Sequence, residues 1–299
     1  MTTTAGKLAL TPAQRIRWWN RKSARLRTRL WTSALILVVG SAFMLIPFGW
    51  MVSTSVKEEV EVFKIPIQWI PTTLRWQNYP EAVTFLPYGR FFLNSTIISA
   101  LVVAGSVAST AVVAYAFARL RAPGRGFWFI LLLSTMMLPG EVTLVPTYLI
   151  FRAFRWLDTY QPLWVPYWFG GTPFFVFLLR QFFMTLPTEL DDAARIDGAN
   201  NVQIFYKILM PLSKPALATI AIFAFFGSWN AFQAPLIYLN TMEKYTVPLG
   251  LRFYLSTFAN SHWNYLMAAS LIAIVPPLIL FFLAQRYFVK GAVLSGIKG

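Results

Sequence analysis

The residue types that usually carry enzymatic or metal chemistry are scarce in this chain. Cysteine is absent, and His262 is the single histidine among 299 residues. Disulfides, thiolate metal sites and cysteine nucleophiles are therefore excluded. A single histidine cannot form a histidine metal cluster and leaves little basis for a Ser-His-Asp triad. We therefore expect no metal site. We interpret His262 as an interfacial polar residue and not as a ligand. No cluster of polar groups indicates a catalytic centre, so we predict that the chain is not an enzyme.

The connection from 186 to 215 holds four of the 11 acidic residues of the chain. Thr188 is a candidate helix N-cap, because Asp191 follows three residues later as in a capping box. Acidic side chains in a first turn interact favourably with the positive end of a helix. Gly198 is a candidate for the helix C-terminus, where a left-handed backbone is common. Small and apolar side chains would form one face of this helix, namely Leu190, Ala193, Ala194 and Ile196.

A second short helix is predicted after Gly198. Asn200 or Asn201 can cap it, and Pro211 and Pro215 return the chain to the next apolar segment. Such a pair of helices could carry force from a soluble partner, or it could be an ordinary amphipathic connection lying on lipid. The pattern alone does not separate these two interpretations. The apolar residues expected on one face of the second helix are Val202, Phe205, Ile208 and Leu209.

A second group of candidates lies inside apolar segments. Aromatic faces and hydrogen-bonding side chains can hold a polar solute such as a sugar, although helix packing is the preferred explanation of the same residues. Glu141 is the only acidic residue well inside an apolar segment, which makes it a candidate for a functional site by default. A helix-end or subunit-contact role is an equal alternative for Glu141. The other candidates for a solute path are Trp229, Asn230, Phe232 and Gln233.

The composition indicates which elements must position these residues. The chain is 57% hydrophobic and only 12% charged, with a mean hydropathy of +0.56. A soluble domain of this size carries about 25% charged residues, so a water-soluble globule and a disordered chain are both disfavoured. We predict a polytopic, all-α membrane protein. Its first apolar run is too long for a cleaved signal peptide.

Six segments are long and apolar enough to be transmembrane helices. Several contain proline or glycine, which membrane helices tolerate. We therefore expect kinks, and not helix ends, at Pro139, Gly170, Pro173 and Pro276. The predicted spans are residues 31–52, 91–117, 127–150, 160–183, 216–239 and 265–289.

The distribution of Lys and Arg predicts the orientation. They are more numerous in the N-terminal tail, in the connections after the second and fourth spans and at the C-terminus than in the other connections. By the positive-inside rule, both termini are cytoplasmic. The net charge of +15 then has a lipid explanation, because an Arg-rich amphipathic helix in the tail would lie along the anionic inner leaflet. Nucleic-acid binding is disfavoured. The expected organisation is a basic cytoplasmic tail (1–30), a first transmembrane helix (31–52), an extracytoplasmic loop (53–90), a core of five further transmembrane helices (91–289) and a cytoplasmic C-terminal tail (290–299).

The acidic connection resembles the EAA loop of ABC importer permeases. Asp192-Ala193-Ala194, then Gly198, then Ile208 to Pro211 have the spacing of that motif, with Asp in place of Glu and Met210 in place of Leu. The segment Arg195 to Ala199 is similar to the sugar-importer branch, in particular to the smaller permease subunit of maltose-type systems. Further matches are Asn94-Ser95, Ala114 to Arg119, Trp229-Asn230, Met267-Ala268 and Gly296 to Gly299.

This resemblance implies a type I ABC importer permease fold with six transmembrane helices. It also implies a second permease subunit, two ATP-binding subunits and an extracytoplasmic solute-binding protein. ATP and Mg would be bound by the partner subunits, and no cofactor by this chain. The loop-like sequence from Gly291 to Lys298 lacks the Gly-Lys-Ser/Thr ending of a phosphate-binding loop. The residues expected to couple to the ATPase are Glu189, Asp192, Ala193, Ala194, Asp197, Gly198 and Pro211.

Three functions follow in order of preference. The first is import of a sugar or oligosaccharide across the cytoplasmic membrane, and the second is import of glycerol phosphate or another polyol-like solute by the same mechanism. An ion-coupled secondary carrier is disfavoured, because it would show more spans, internal repeats or intramembrane charges. We expect the outer connection, residues 240–263, to face the solute-binding protein.

Overall fold

The computed structural model describes residues 12–170, 172–255 and 261–295, with side chains described between residues 26 and 285 of those ranges. Every regular element within these ranges is helical. The chain divides into two units, Met1–Ser53 and Thr54–Gly299. Of the two predicted tails, residues 1–11 and 296–299 lie outside the described ranges.

The first unit is formed by helix α1, which runs from Pro12 to Ser55. Residues 12–30 of the basic tail and the first span are one continuous helix, and Pro47 does not interrupt it. The part from Leu26 to Ser55 has a mean hydropathy of 2.2, which suits a membrane span.

The second unit begins with an ordered segment that was predicted to be an extracytoplasmic loop. Its short helices are α2 (Glu59–Val62) and α3 (Asn78–Phe85). Asn78 is fully buried, and its Nδ2 donates to the carbonyls of Ser55 (2.9 Å) and Lys57 (2.8 Å). The predicted loop is therefore held down by a buried polar group whose bonds are satisfied. The side chain of Lys57 is also buried here, and its desolvation lowers the pKa of the ammonium.

Helix α4 (Tyr88–Arg119) is the long central helix of the second unit. Small and apolar residues such as Val102, Ala111 and Ala114 are almost fully buried on it. They pack in one core with residues of helices α8 (Pro173–Thr185) and α12 (Lys214–Trp229).

The third and fourth predicted spans are broken and not merely kinked. Helices α5 (Arg125–Ser134) and α6 (Gly140–Ala153) meet at 100°. The expectation of a kink at Pro139 is wrong. Its backbone is extended (ψ 137°), and a proline has no N–H with which to continue the preceding helix. In the fourth span α8 starts only at Pro173, after Gly170 with φ +99°.

The fifth predicted span is broken, whereas the sixth is continuous. The fifth ends at Trp229 and is followed after a break by α13 (Gln233–Tyr238), whereas a single helix was expected. The sixth, α15 (Trp263–Ser295), continues through Pro276 and Pro277 as expected. The remaining helices are α7 (Gln161–Trp164), α9 (Glu189–Ile196), α10 (Asn201–Ile204), α11 (Met210–Leu212) and α14 (Val247–Leu251), with short 3-10 turns between some of them.

The number of spans agrees with the prediction when bent helices are counted as one. Within the described residues, four helices are long and apolar enough to cross a membrane, or up to six if each of two bent pairs is one span. The second bent pair joins residues 201–212 to α12 at 77°.

We expect Gly250→Ala to destabilise the second unit. A methyl group at position 250 would overlap the ring of Phe91, which is fully buried on α4. Overpacking of this kind costs about 1–3 kcal/mol, so the Tm of the purified complex in detergent should fall. Gly89→Ala is the matched control, because nothing lies within 4 Å of a methyl group there. Equal Tm values for the two variants would contradict the close packing of α14 on α4.

Candidate functional site

The candidate site is the connection from 186 to 215, which we call the coupling element. Its first helix, α9, ends as the sequence predicts at a left-handed glycine, Gly198 (φ +83°). The N–H of Ala199 donates to the carbonyl of Ala194 (2.8 Å), and that of Gly198 donates to Arg195 (3.0 Å). This pair of bonds is a Schellman motif, which stops a helix and turns the chain. The predicted bend therefore has a defined backbone geometry.

The second arm of the coupling element begins at Asn200. Its side chain accepts from the N–H of Gln203, whose side chain accepts from the N–H of Asn200, both at 2.9 Å. The cap is thus Asn200 and not Asn201. A π-helical turn follows at Phe205–Leu209, where each turn contains more residues than in an α-helix. Phe205 and Leu209 are buried as predicted, but Val202 is 63% exposed.

The N-terminus of α9 differs from the prediction. Thr188 has helical dihedrals, and its side chain makes no capping bond. Asp191 is instead turned towards Arg119 at the end of α4, with 3.4 Å between Oδ2 and Nε. The two side chains are 4% and 5% exposed. Arg119 also donates from Nη2 to the carbonyl of Leu186 at 2.8 Å. A buried charge is stable only when it is paired, so this contact determines where α9 lies.

Two more polar contacts support the C-terminal end of α4. The hydroxyl of Tyr115 donates to the carbonyl of Asn201 at 3.0 Å, which ties the second arm to the same helix. Arg180 of α8 donates to the carbonyl of Phe117 (3.2 Å), and its guanidinium lies 4.1 Å from the ring centroid of Phe129. Helix α4 therefore holds both arms of the coupling element.

The surface of the coupling element combines charged and apolar groups. Ala194, a predicted coupling residue, is buried in the core, so it supports α9 and does not form part of the exposed surface. Asp192 is 68% exposed and pairs with Arg195 at 3.1 Å. The other predicted coupling residues, Glu189, Ala193, Asp197, Gly198 and Pro211, are exposed. Apolar side chains are exposed beside them, namely Leu190 (39%), Ile196 (87%), Val202 (63%) and Tyr206 (63%). A surface of this composition is typical of a protein interface.

The structure places some of the predicted solute-path residues, but not all of them, at one cavity. Trp229 is buried, and its Nε1 donates to the carbonyl of Ala273 at 3.1 Å. Asn230 follows α12 at the helix break and is exposed, as are Phe232 and Gln233. Trp229 and Asn230 line a cavity of about 230 Å³ together with Val247, Pro248, Leu251, Ser270, Ala273, Ile274 and Pro277.

Glu141 stands apart from this cavity. It is exposed and lies in the first turn of α6, directly after the sharp bend at Pro139. A carboxylate at this position interacts favourably with the positive end of the helix. The helix-end alternative for Glu141 therefore has a structural basis.

The opposite end of the spans contains a polar junction that the sequence did not reveal. Asp158 accepts from the N–H groups of Asn240 and Thr241 (3.0 Å each) and from Lys244 Nζ (2.8 Å). Desolvation raises the pKa of Asp158, but these bonds and that of the Thr241 hydroxyl outweigh it and hold the pKa well below its usual value. The Asp158 carboxylate accepts four bonds from residues more than 80 positions further along the chain, and such distant partners could not be inferred from the sequence pattern.

The N-terminal part of α4 is bound to the connection from 240 to 263, which contains the partners of Asp158. Asn94 Nδ2 donates to the carbonyls of Glu243 (2.8 Å) and Tyr245 (3.0 Å), and the Ser95 hydroxyl accepts from the N–H of Val247 (2.8 Å). Residues 256–260 of the predicted outer connection lie outside the described residues.

His262 contacts one acidic and two aromatic side chains. Its Nδ1 lies 2.9 Å from a carboxylate oxygen of Glu59. Its ring stacks on Tyr265 and meets Phe85 edge-on. In the described residues no group of three or more His, Asp or Glu side chains could hold a metal ion.

A family model described as "Binding-protein-dependent transport system inner membrane component" matches residues 23–293. The chain belongs to this family. It is therefore a permease, a multi-pass membrane subunit that works with an ATP-hydrolysing component and a solute-binding protein and has no ATPase site of its own.

Curated relatives agree with this assignment. The permease is 34% identical over 266 residues to the sn-glycerol-3-phosphate transport system permease protein UgpE of Yersinia pestis, covering 87% of this chain and 94% of the relative. It is 35% identical over 271 residues to the arabinooligosaccharides transport system permease protein AraQ of Halalkalibacterium halodurans, covering 88% and 96%.

A solved bacterial ABC transporter that imports the acidic polysaccharide alginate shares the fold. One of its chains matches the permease with a TM-score of 0.77 at 22% identity, covering 94% of this chain and 100% of that one. The predicted type I ABC importer permease fold and the prediction of a transport subunit are thus confirmed.

We expect Asp191→Asn to lower the stability of the permease strongly. The change leaves the buried guanidinium of Arg119 without a counter-charge, and loss of one partner of a buried pair costs about 3–5 kcal/mol. Thermal unfolding of the purified complex measures it. Asp192→Asn is the matched control, because its pair with Arg195 is exposed and is worth about 0–1 kcal/mol. Equal losses in the two variants would show that the Arg119–Asp191 pair does not hold α9.

Proposed function

We propose that this permease forms one half of the translocation path of an ATP-driven importer for a sugar or oligosaccharide in the cytoplasmic membrane. The other half is a second permease subunit. Two ATP-binding subunits bind the inner face, and an extracytoplasmic protein delivers the solute. Both termini of the permease are cytoplasmic.

The coupling element is the observation that carries this proposal. It is rigidly tied to α4 by Arg119 and Tyr115, yet it exposes acidic and apolar side chains such as Asp192 and Ile196. A helix that is fixed on its inner side and exposed on its other side can move the membrane helices when a partner grips it. ATP and Mg are bound by the partner ATPase, whose closure supplies the motion.

The sugar class is supported by the relative that imports arabinooligosaccharides and by the polar groups near the cavity beside α12. Asn230 is exposed there and offers an amide, while the ring of Trp229 lines the same cavity. Amides and aromatic rings suit the hydroxyl groups and the apolar faces of a sugar ring. The second permease holds part of the solute as well.

A glycerol phosphate importer is the second candidate, and one specific observation favours it. The similarity to UgpE of Yersinia pestis is as high as the similarity to the arabinooligosaccharide permease. The two candidates share the same coupling mechanism and differ only in the solute.

Uptake by the reconstituted importer tests the proposal. The complete complex is placed in vesicles with its binding protein, and radiolabelled oligosaccharides or sn-glycerol 3-phosphate are offered with and without internal ATP. We expect uptake of an oligosaccharide that requires ATP. Uptake of glycerol phosphate alone would favour the second candidate. Uptake that continues without nucleotide and follows an ion gradient would contradict the whole assignment and indicate a secondary carrier.

The bend at Gly198 gives a second test, specific to coupling. Proline cannot adopt the left-handed backbone found there (φ +83°), and it removes the N–H that bonds to Arg195. We expect Gly198→Pro to reduce ATP-dependent uptake by about tenfold or more, in the range of known coupling free energies, while the spans still insert.

Gly198→Asn is the matched control, because asparagine tolerates a left-handed backbone. It should keep most of the uptake. ATPase activity of each variant complex is measured beside uptake, since loss of coupling separates the two. Normal uptake by Gly198→Pro would refute the role assigned to the bend.

A further inference from the structure

A polar cavity lies between the inner end of α4, the start of α5 and the coupling element. Its volume is about 850 Å³. The turn from α4 to α5 supplies three arginines to its wall, and α9 supplies a fourth. Its lining residues with charged side chains are Arg119, Arg121, Arg125, Arg195, Asp191 and Asp192.

The charges of the cavity leave an excess of positive groups. The buried pair of Arg119 and Asp191 is neutral as a unit, and Arg195 is partly offset by Asp192 in an exposed contact. Arg125 is half-buried and uses Nη1 to bond the carbonyl of Leu120 (2.8 Å). Arg121 is exposed and has no hydrogen bond or ion pair among the residues that the structure describes.

The cavity lies where one apolar helix ends and the next begins. Arg119 is the last residue of one membrane-spanning helix, and Arg125 is the first residue of the next helix pair. Phe127 and Trp128 follow at once and are 65% and 57% exposed. Tryptophan at the end of a span is typical of the boundary between headgroups and hydrocarbon.

We propose that this cavity binds the phosphate of an anionic phospholipid headgroup. Arg121 and Arg125 would contact the phosphate oxygens, since a guanidinium matches phosphate with two parallel bonds. The exposed rings of Phe127 and Trp128 would lie against the acyl chains. A lipid is the ligand that presents a negative headgroup and an apolar tail side by side, which a soluble partner's acidic side chain does not.

The position of this site gives the lipid a physical role. Its wall includes Arg195 and Asp192 of the coupling element as well as the membrane-surface turn. A bound phosphate would therefore contact the coupling element and the turn after α4 at once and would strengthen their attachment. This role rests on the proposed function, but lipid binding itself does not.

The test measures lipid retention by the complete importer complex. The complex is placed in nanodiscs of phosphatidylcholine mixed with phosphatidylglycerol, and the lipids that remain bound are quantified by native mass spectrometry. We expect the wild type to retain phosphatidylglycerol in preference. The preference for phosphatidylglycerol should fall about tenfold in the double variant Arg121→Gln/Arg125→Gln. The variant Arg121→Lys/Arg125→Lys should keep most of this preference.

The matched control removes the same charge at the far ends of the membrane segments. Arg90 and Arg152 are exposed, in the first turn of α4 and the last turn of α6. Arg90→Gln/Arg152→Gln should leave the preference unchanged. An equal loss in this control would indicate only a general surface charge and overturn the site. Should the first double variant fail to fold, Arg121→Gln alone is used, because this exposed side chain has no internal bond to lose.

Two further outcomes would overturn the proposal. Displacement of the preference by millimolar inorganic phosphate would show that the cavity takes a free anion. Loss of the ATP-binding subunits from the double variant, with unchanged phosphatidylglycerol retention, would assign the arginines to the protein interface. Absence of transport in the wild type would refute the proposed function and leave the lipid result as it stands.

Discussion

The buried ion pair between Arg119 and Asp191 joins helix α4 of this permease to the coupling element. Neither charge is stable in that environment without the other, so the position of α9 follows from the end of α4. The bond from Arg119 to the carbonyl of Leu186 and that from Tyr115 to Asn201 extend the attachment to both arms. The exposed side chains of the coupling element can then be used for a partner, because its attachment does not depend on them.

Two neighbouring acidic residues show the same contrast between attachment and exposure. Asp191 and Asp192 are adjacent in the chain, but one is 4% exposed and the other 68%. Successive residues of a helix point in directions about 100° apart, so one carboxylate meets α4 and the other meets solvent. The motif that resembles the EAA loop contains the exposed residue, and the attachment lies just before it.

Much of the fold could be predicted from hydropathy alone, since a bilayer requires long apolar helices with internally bonded backbones. The bend at Gly198 and the cap near Asn200 could also be predicted, because they depend on local residues. The breaks at Pro139 and after Trp229 could not, because whether a proline or glycine bends or ends a helix depends on what packs around it. The partner of Asp191 lies on another helix, and a short-range pattern such as the capping box from Thr188 gives no information on it. For the same reason the sequence did not reveal the junction at Asp158, whose partners belong to a distant connection.

Helix α4 is bound to other segments at both of its ends. Arg119 and Tyr115 hold the coupling element at one end, while Asn94 and Ser95 hold residues 243–247 at the other. Its 32 residues form one uninterrupted helix, about 48 Å long at 1.5 Å per residue. It is therefore a stiff strut as long as the bilayer is thick. The helix has no flexible joint along its length. A tilt imposed at one end must therefore displace the segment that is attached at the other end.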